Sequence, residues 1–368
     1  MRRPATGLWE RMTSFEALWR ASRLARRGKR RMASTAAFEH QLEGELLTLR
    51  SELRDGSYRY GAYREFTVFE PTERIIRAAP YRDRVVHHAL VGELEPLLER
   101  QMIDHSFACR LGKGTHRALD ALQHYLRGGS WVLKLDLRKY FYAIDHDILL
   151  TDLDQVAGDD KMRALIRHIV ASYDAGAAYY FPVPGDDLFA VARARGLPIG
   201  NLTSQLFANA FLAPLDRWIK RDLGWTRYVR YMDDLVFVGQ SREEMQALRC
   251  ELETRLAARR LVVHPRKTQV LPVRNGVAFL GFRLYPFHRR IRRPNLQRFA
   301  RRLRAQQRGV AEGRLDLGHV RRSLSAWLGY ADPVRHERLL ERLLERPTFQ
   351  VPGTATVVRF TARCPEPA

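Results

Sequence analysis

Cysteine is scarce in this sequence, and long apolar runs are absent. The 368 residues include three cysteines, Cys109, Cys250 and Cys364, without the short spacings typical of zinc knuckles or disulfide frameworks. No apolar run reaches the roughly 18 residues of a membrane span. The start, Met1-Arg2-Arg3-Pro4, also lacks the apolar core of an export signal. The composition therefore predicts a protein of the reducing cytoplasm with no membrane partner.

Acidic residues are few compared with basic ones. The sequence has 63 Lys and Arg against 41 Asp and Glu, which gives a formal charge of +22. Self-repulsion of this size is a cost unless a polyanion binds, so nucleic acid is the first candidate partner. The chain is also long enough to bury a substantial core, as one large domain or two ordinary ones.

Two adjacent acids lie between apolar segments in residues 230–238. The sequence RYMDDLVFV predicts a strand, a tight turn and a second strand, with Asp233 and Asp234 at the tip. Most such pairs are solvated turns, but neighbouring carboxylates repel each other and a divalent cation relieves the repulsion. Asp136, near the end of the apolar segment 131–137, could be a third ligand. Three such acids are typical of two-metal phosphoryl transfer.

These segments resemble the palm of a reverse transcriptase. The Tyr-Met-Asp-Asp hairpin is preceded, in the family's order, by KLDLRKYFYAIDH at 134–146 and GLPIGNLTSQ at 196–205. The resemblance covers about residues 60–335. It implies an α+β right-hand polymerase fold with an antiparallel palm sheet, fingers and a helical thumb. The expected divisions are a basic helical extension at 1–57, fingers and palm at 58–285, a basic thumb at 286–346 and a flexible tail at 347–368.

The resemblance also implies residue roles. Asp136, Asp233 and Asp234 would hold two Mg²⁺ ions, for which Mn²⁺ could substitute, and Lys267 would be the general acid for the leaving pyrophosphate. Substrate contacts are expected from Phe141 under the sugar, Ile199, Gly200 and Gln205 beside the new base pair, Tyr231 and Met232 at the primer end, and Arg74 at the triphosphate. From the residues alone, Phe141 could equally be core, Arg74 plain surface charge and Lys267 an exposed loop lysine.

Residues 199–205 depart from most of the family. Ile199 stands where many relatives carry Gln, and Gln205 where they carry Pro, so the sequence is similar to reverse transcriptases of diversity-generating retroelements, which are related to group II intron and retron enzymes. The resemblance implies error-prone copying at template adenines in a bacterium, archaeon or phage. The implied partners are a template RNA, a primer with its cDNA product, deoxynucleoside triphosphates and a small basic accessory protein.

Two alternatives remain open at this point. One is a reverse transcriptase of an intron, retron or phage-defence system. The other is a catalytically silent RNA-binding protein with the same fold, against which the three acids argue. The basic extension could be a helix docked on the body or an RNA-binding arm, and the segment 175–187 suggests no function.

Overall fold

The computed structural model describes residues 4–69, 73–334, 348–350 and 357–359. Within these residues the helices are α1 Leu8–Met12, α2 Phe15–Ala25, α3 Ala33–His40, α4 Leu42–Asp55, α5 Tyr81–Glu99, α6 Thr115–Leu126, α7 Tyr140–Ala143, α8 His146–Asp154, α9 Asp160–Ala171, α10 Leu202–Arg221, α11 Arg242–Ala257, α12 Arg293–Ala311 and α13 Leu317–Ala331. In this part of the chain, no helix combines the length and apolar character needed to cross a membrane.

The strands of the described residues form four small sheets. Their bounds are β1 Arg64–Phe69, β2 Glu73–Ala78, β3 Trp131–Asp136, β4 Tyr228–Tyr231, β5 Asp234–Gly239, β6 Gln269–Pro272, β7 Val277–Phe279, β8 Phe282–Leu284, β9 Arg289–Ile291, β10 Thr348–Gln350 and β11 Val357–Arg359. The sheets have the orders β1-β2, β4-β5-β3-β6, β7-β8-β9 and β10-β11. The pairs β1-β2, β4-β5, β7-β8, β8-β9 and β10-β11 are antiparallel. The predicted α+β class is confirmed.

The chain divides into two compact units. The first comprises residues 1–114, 133–237 and 243–270, and the second comprises 115–132, 238–242 and 271–368. In the first unit, α10 packs against α5 and α8. Its core includes the centres of β3 and β5, because Leu133, Leu135, Leu235, Val236 and Phe237 are fully buried. Apolar side chains removed from water on this scale fix the strands that carry the predicted acids.

The N-terminal extension is docked on the first unit. Helix α2 packs along α5 and buries Leu18, Ala21 and Ala25. Ser14 caps α2 by accepting a hydrogen bond from the Ala17 amide at 3.1 Å. The Tyr81 hydroxyl of α5 in turn donates to the Ser22 carbonyl at 3.0 Å. The apolar face of α2 therefore serves packing, as in the docked-helix alternative, and its basic residues lie on the other face.

The second unit contains the predicted thumb helices. Phe299 of α12 stacks on Trp327 of α13 with ring centroids 3.7 Å apart. Two of the three residues between Phe299 and the buried Leu303 are basic and exposed, namely Arg301 and Arg302. A helix that is buried on one side and cationic on the other suits binding to phosphates.

Six residues of the predicted flexible tail form two short strands. Residues 348–350 and 357–359 pair as antiparallel strands, and Phe349 is 1 % exposed. Burial of this ring favours an ordered strand over a frayed chain. Residues 335–346 of the predicted thumb and the rest of the tail lie outside the described residues.

Candidate active site

The β4-β5 hairpin brings two predicted acids to its tip. Tyr231 pairs with Asp234, which leaves Met232 and Asp233 as the two turn residues. Met232 has φ 55°, a left-handed conformation that is uncommon for a residue with a side chain. This tight turn fixes the direction of Asp233, and Asp234 follows as the first residue of β5. The predicted hairpin is confirmed.

Asp136 reaches the same place from a different strand. It is the last residue of β3, and β3 lies beside β5 in the sheet. Its carbonyl accepts a hydrogen bond from the His264 amide at 2.7 Å, and Leu137 bridges to Val263. The 8 % exposure of Asp136 makes this a buried acid at a strand end. Neighbouring strands therefore supply the three carboxylates.

The three acids interact electrostatically. Burial, followed by the charge of Asp234 and then that of Asp136, raises the pKa of Asp233 to about 6. Burial also raises the pKa of Asp234, where the charge of Lys134 opposes it and the charge of Asp136 adds to it. The acids are thus close enough to disfavour one another's ionised form.

Two lysines lie against this acidic group. Lys134 Nζ is 3.4 Å from an oxygen of Asp234. Lys267 Nζ is 3.2 Å from both carboxylate oxygens of Asp136. Lys267 reaches this position because residues 262–264 run beside Asp136–Arg138, with the Arg138 amide donating to the Val262 carbonyl at 2.8 Å. Both lysines offset part of the negative charge.

The donor chemistry of the acids fits a divalent cation. Across the described ranges, no three His, Cys, Asp or Glu side chains are grouped closely enough to be ready-made ligands as they stand. Carboxylate oxygens are nevertheless the ligands that Mg²⁺ prefers, and a cation would relieve the mutual repulsion of Asp233 and Asp234. Asp136, Asp233 and Asp234 are the residues that would hold it, with Lys267 and Lys134 displaced from two of them.

The predicted base-pair contacts lie in a segment that joins two other elements. The Leu197 amide donates to the Phe141 carbonyl at 2.7 Å, and the Arg77 amide of β2 donates to the Ile199 carbonyl at 2.9 Å. Gly200 has φ +117°, and a Cβ there would lie 2.7 Å from Ile76 Cγ2. This glycine therefore allows residues 196–200 to connect α7, which carries Phe141, with the β1-β2 hairpin.

The other predicted substrate contacts differ in exposure. Arg74 lies on the exposed surface of β2, and Gln205 on an exposed position of α10. Tyr231 and Phe141 are half-buried, and Met232 is buried. The structure thus brings Tyr231 and Met232 next to the acids within the hairpin.

A sequence model described as "Reverse transcriptase (RNA-dependent DNA polymerase)" matches residues 70–284. The chain belongs to this reverse transcriptase family. Its α+β architecture, with an antiparallel hairpin carrying the acids, is accordingly that of the right-hand polymerases.

Three curated relatives of known sequence are similar to the chain, and the names of two of them refer to introns. Protein YkfC of Escherichia coli (strain K12) is 26% identical over 286 residues, which cover 66% of this chain and 72% of YkfC. Group II intron-encoded protein LtrA of Lactococcus lactis subsp. cremoris is 24% identical over 181 residues, covering 48% of this chain and 28% of LtrA. The Putative COX1/OXI3 intron 1 protein of Saccharomyces cerevisiae is 24% identical over 176 residues, covering 47% of this chain and 20% of that protein.

Solved structures resemble the chain more weakly. Apo telomerase from Candida tropicalis has a TM-score of 0.48 at 10% identity, covering 78% of this chain and 61% of that chain. The complex of that telomerase with a fragment of telomeric RNA has a TM-score of 0.46 at 11% identity, covering 79% of this chain and 55% of that chain.

Sequence reasoning missed the side chain that supports the reverse transcriptase hairpin. Arg230 is fully buried and forms an ion pair with the equally buried Asp216 of α10 at 2.7 Å. It also donates to the Met232 carbonyl at 3.2 Å and to the Asn209 side chain at 3.1 Å. The ion pair raises the pKa of Arg230, although burial opposes this. In the sequence, only the position of this arginine inside an apolar strand indicated a buried supporting role.

Proposed function

We propose that this protein is an RNA-directed DNA polymerase. The primer 3′-hydroxyl attacks the α-phosphate of a deoxynucleoside triphosphate, an O–P bond forms, and pyrophosphate leaves. The observation that carries the proposal is the grouping of Asp136, Asp233 and Asp234 at the end of β3 and the tip of the β4-β5 hairpin, where their charges interact. In a protein that only binds RNA, the repulsion between these buried carboxylates would be a cost without a function.

Asp136, Asp233 and Asp234 are proposed as the residues that hold two Mg²⁺ ions. When bound, such ions would supply nucleophile activation and would neutralise the triphosphate charge. The chain contributes orientation, because Asp233 lies in a turn whose Met232 carbonyl is held by buried Arg230. Tyr231 and Met232 would support the primer end beside these acids.

Lys267 is proposed as the general acid. Its ammonium lies 3.2 Å from both oxygens of Asp136 and its side chain is 62% exposed, so a small movement could bring Nζ to another anion. Binding of a cation by Asp136 would weaken this ion pair. The proton on Nζ would then be available to the leaving pyrophosphate oxygen.

Phe141, Ile199, Gly200, Gln205 and Arg74 are proposed to contact the nucleotide. Phe141 would exclude a 2′-hydroxyl, which favours deoxynucleotides. Ile199 has no side-chain amide that could hydrogen-bond near the new base pair, and this supports the finer proposal of error-prone synthesis at template adenines in a diversity-generating retroelement. The partners would be a template RNA, a primer and a small basic accessory protein.

A second candidate is the reverse transcriptase of an intron-type element. The intron-encoded relatives named above favour it. The two candidates differ in product, because the retroelement enzyme should make DNA with errors concentrated opposite template adenines. Sequencing of the synthesised DNA distinguishes them.

Primer extension on an annealed RNA template tests the proposed activity. With Mg²⁺ and four deoxynucleotides, wild type should make DNA, and Asp233→Asn should lower the rate by at least about 1000-fold because one metal ligand is lost. Asp222→Asn, at the exposed C-terminal cap of α10, is the matched control and should extend normally.

Binding of the primer-template by Asp233→Asn should remain near wild type, as measured by fluorescence anisotropy. Extension by this variant at close to the wild-type rate would refute the metal assignment. Tight binding without extension by wild type, even with native RNA and accessory protein supplied, would instead favour a binding-only protein.

A further inference from the structure

Residues 175–195 form a loop with a closed base, here called the insert loop. The Ala175 amide donates to the Arg195 carbonyl at 2.8 Å, and the Arg195 amide donates to the Asp174 carboxylate at 3.2 Å. The Arg195 side chain also donates to the Ala190 carbonyl at 2.7 Å. The two ends of the loop are therefore held together, and the Arg195 side chain also holds Ala190 inside the loop.

The aromatic side chains of the insert loop pack on the residues around Phe141. Tyr179 stacks on Tyr142 with ring centroids 4.3 Å apart and planes 11° from parallel. The ring of Phe181 carries the Arg138 guanidinium at 4.0 Å. Tyr142 directly follows Phe141, and Arg138 precedes it by three positions, so the loop contacts the chain on both sides of the predicted sugar-selecting ring.

Helix α7, which carries Phe141, needs such support. It has only four residues, Tyr140–Ala143, and a helix of one turn has almost no stability by itself. Lys139 before it has φ 50°, a conformation that costs energy for a residue with a side chain. The position of the Phe141 ring is consequently set by tertiary contacts.

The insert loop also continues directly into the predicted base-pair segment. Gly196 follows the loop base and donates its amide to the Ile144 carbonyl at 2.7 Å. A Cβ on Gly196 would lie 2.7 Å from the Ala175 Cβ, so the loop base is packed tightly. Within residues 141–144, the loop ring of Tyr179 thus holds Tyr142, and the amides of residues 196–197 hold the carbonyls of residues 144 and 141.

Tyr142 links this arrangement to the predicted triphosphate contact. Burial raises the pKa of Tyr142, and the charges of Arg77 and Arg74 oppose that shift. Both arginines are therefore close enough to interact electrostatically with the Tyr142 hydroxyl, and Tyr179 stacks on the same ring. Movement of Tyr142 would change the surroundings of Arg74 as well as those of Phe141.

We propose that the insert loop is a specificity element for the sugar of the incoming nucleoside triphosphate. Tyr179 and Phe181 are positioning residues: they hold Tyr142 and Arg138, and through them the Phe141 ring. This inference rests on the proposed polymerase function and adds a residue set outside its three acids. It predicts that selection of deoxyribose over ribose depends on a ring at position 179.

Single-nucleotide incorporation of dATP and ATP by Tyr179→Ala provides the test. The ratio of kcat/KM for dATP over ATP should fall by about tenfold, the scale on which loss of shape in an apolar pocket relaxes selection. The kcat for dATP should stay within about twofold of wild type. Tyr179→Phe keeps the stacked ring and should keep the ratio. Phe189→Ala, a change at an 80% exposed ring of the same loop, should keep it too.

The outcomes separate the loop proposal from the polymerase proposal. Equal losses of kcat/KM for dATP and ATP would overturn the specificity role, since a general structural defect affects both substrates alike. If Tyr179→Ala lowers the thermal unfolding midpoint strongly, Tyr179→Leu keeps apolar volume without the planar ring and must show the same fall in ratio. No incorporation by wild type would contradict the polymerase function and the inference together.

Discussion

At the scale of single residues, the three acids differ in the charged groups that lie beside them. Asp136 is paired with Lys267, and Asp234 lies near Lys134. Asp233 has its pKa raised to about 6 by burial and by the other two acids. Its ionised form is therefore disfavoured at the hairpin tip, and a bound cation would stabilise it.

Asp233→Asn should stabilise the metal-free protein at neutral pH. A carboxyl whose folded pKa is raised lowers folding stability when ionised above about pH 6, and this penalty disappears as the pH falls below the pKa of the unfolded chain. Thermal unfolding in EDTA should show a higher midpoint for the variant at pH 8, and the difference should shrink towards pH 4.

Asp222→Asn is the control for this pH series and should show no comparable trend. Added Mg²⁺ should raise the midpoint of wild type more than that of Asp233→Asn, because binding to the folded state stabilises it. A difference between wild type and Asp233→Asn that did not change with pH would contradict the assigned titration.

At the scale of elements, hydrogen bonds and close packing join the β1-β2 hairpin to residues 199–201. The Asn201 side chain accepts from the Ala79 amide at 3.1 Å and donates to the Arg77 carbonyl at 3.0 Å. Gly200 also packs closely against Ile76, so β2 and residues 199–201 pack together. A displacement of β2 should therefore also shift residues 199–201.

Gly200→Ala should destabilise the protein by about 1–3 kcal/mol, because it adds backbone strain and a clash with Ile76. Gly224→Ala is the matched control, since Gly224 also has a positive φ of +67° but no atom within 4 Å of the added Cβ. Urea unfolding of both variants compares an alanine that meets strain and a clash, at Gly200, with one at a positive φ that meets no neighbouring atom, at Gly224. Equal losses would show that the contact with Ile76 is unimportant.

At the scale of the whole molecule, the charge of +22 indicates a polyanionic partner. The exposed arginines of α12 are one place where this charge is concentrated on a single helix face. Phosphates bound there would release counterions, so affinity should depend on salt.

Arg301→Ala should weaken primer-template binding and reduce the slope of log K against log salt by about one. Fluorescence anisotropy over a salt series measures this slope. Arg242→Ala, which removes an exposed arginine at the start of α11, serves as a comparison for the effect of net charge alone. Identical slopes for wild type and Arg301→Ala would exclude Arg301 as a phosphate contact.

The local sequence determined the elements that carry the chemistry. Alternating apolar residues around Asp233 and Asp234 specified a hairpin, and a single acid at the end of an apolar strand specified Asp136. These features depend on neighbours within a few residues, so composition and spacing are enough to predict them.

Only the tertiary structure decided which distant residues support those elements. The ion pair of Arg230 with Asp216, the contact of Lys267 with Asp136 and the stacking of Tyr179 on Tyr142 join positions far apart in the chain. His87 was similarly unpredictable: it is 1 % exposed, lies 3.0 Å from the Tyr60 hydroxyl, and burial lowers its pKa to about 3. Such contacts follow from how the core packs, which no local pattern encodes.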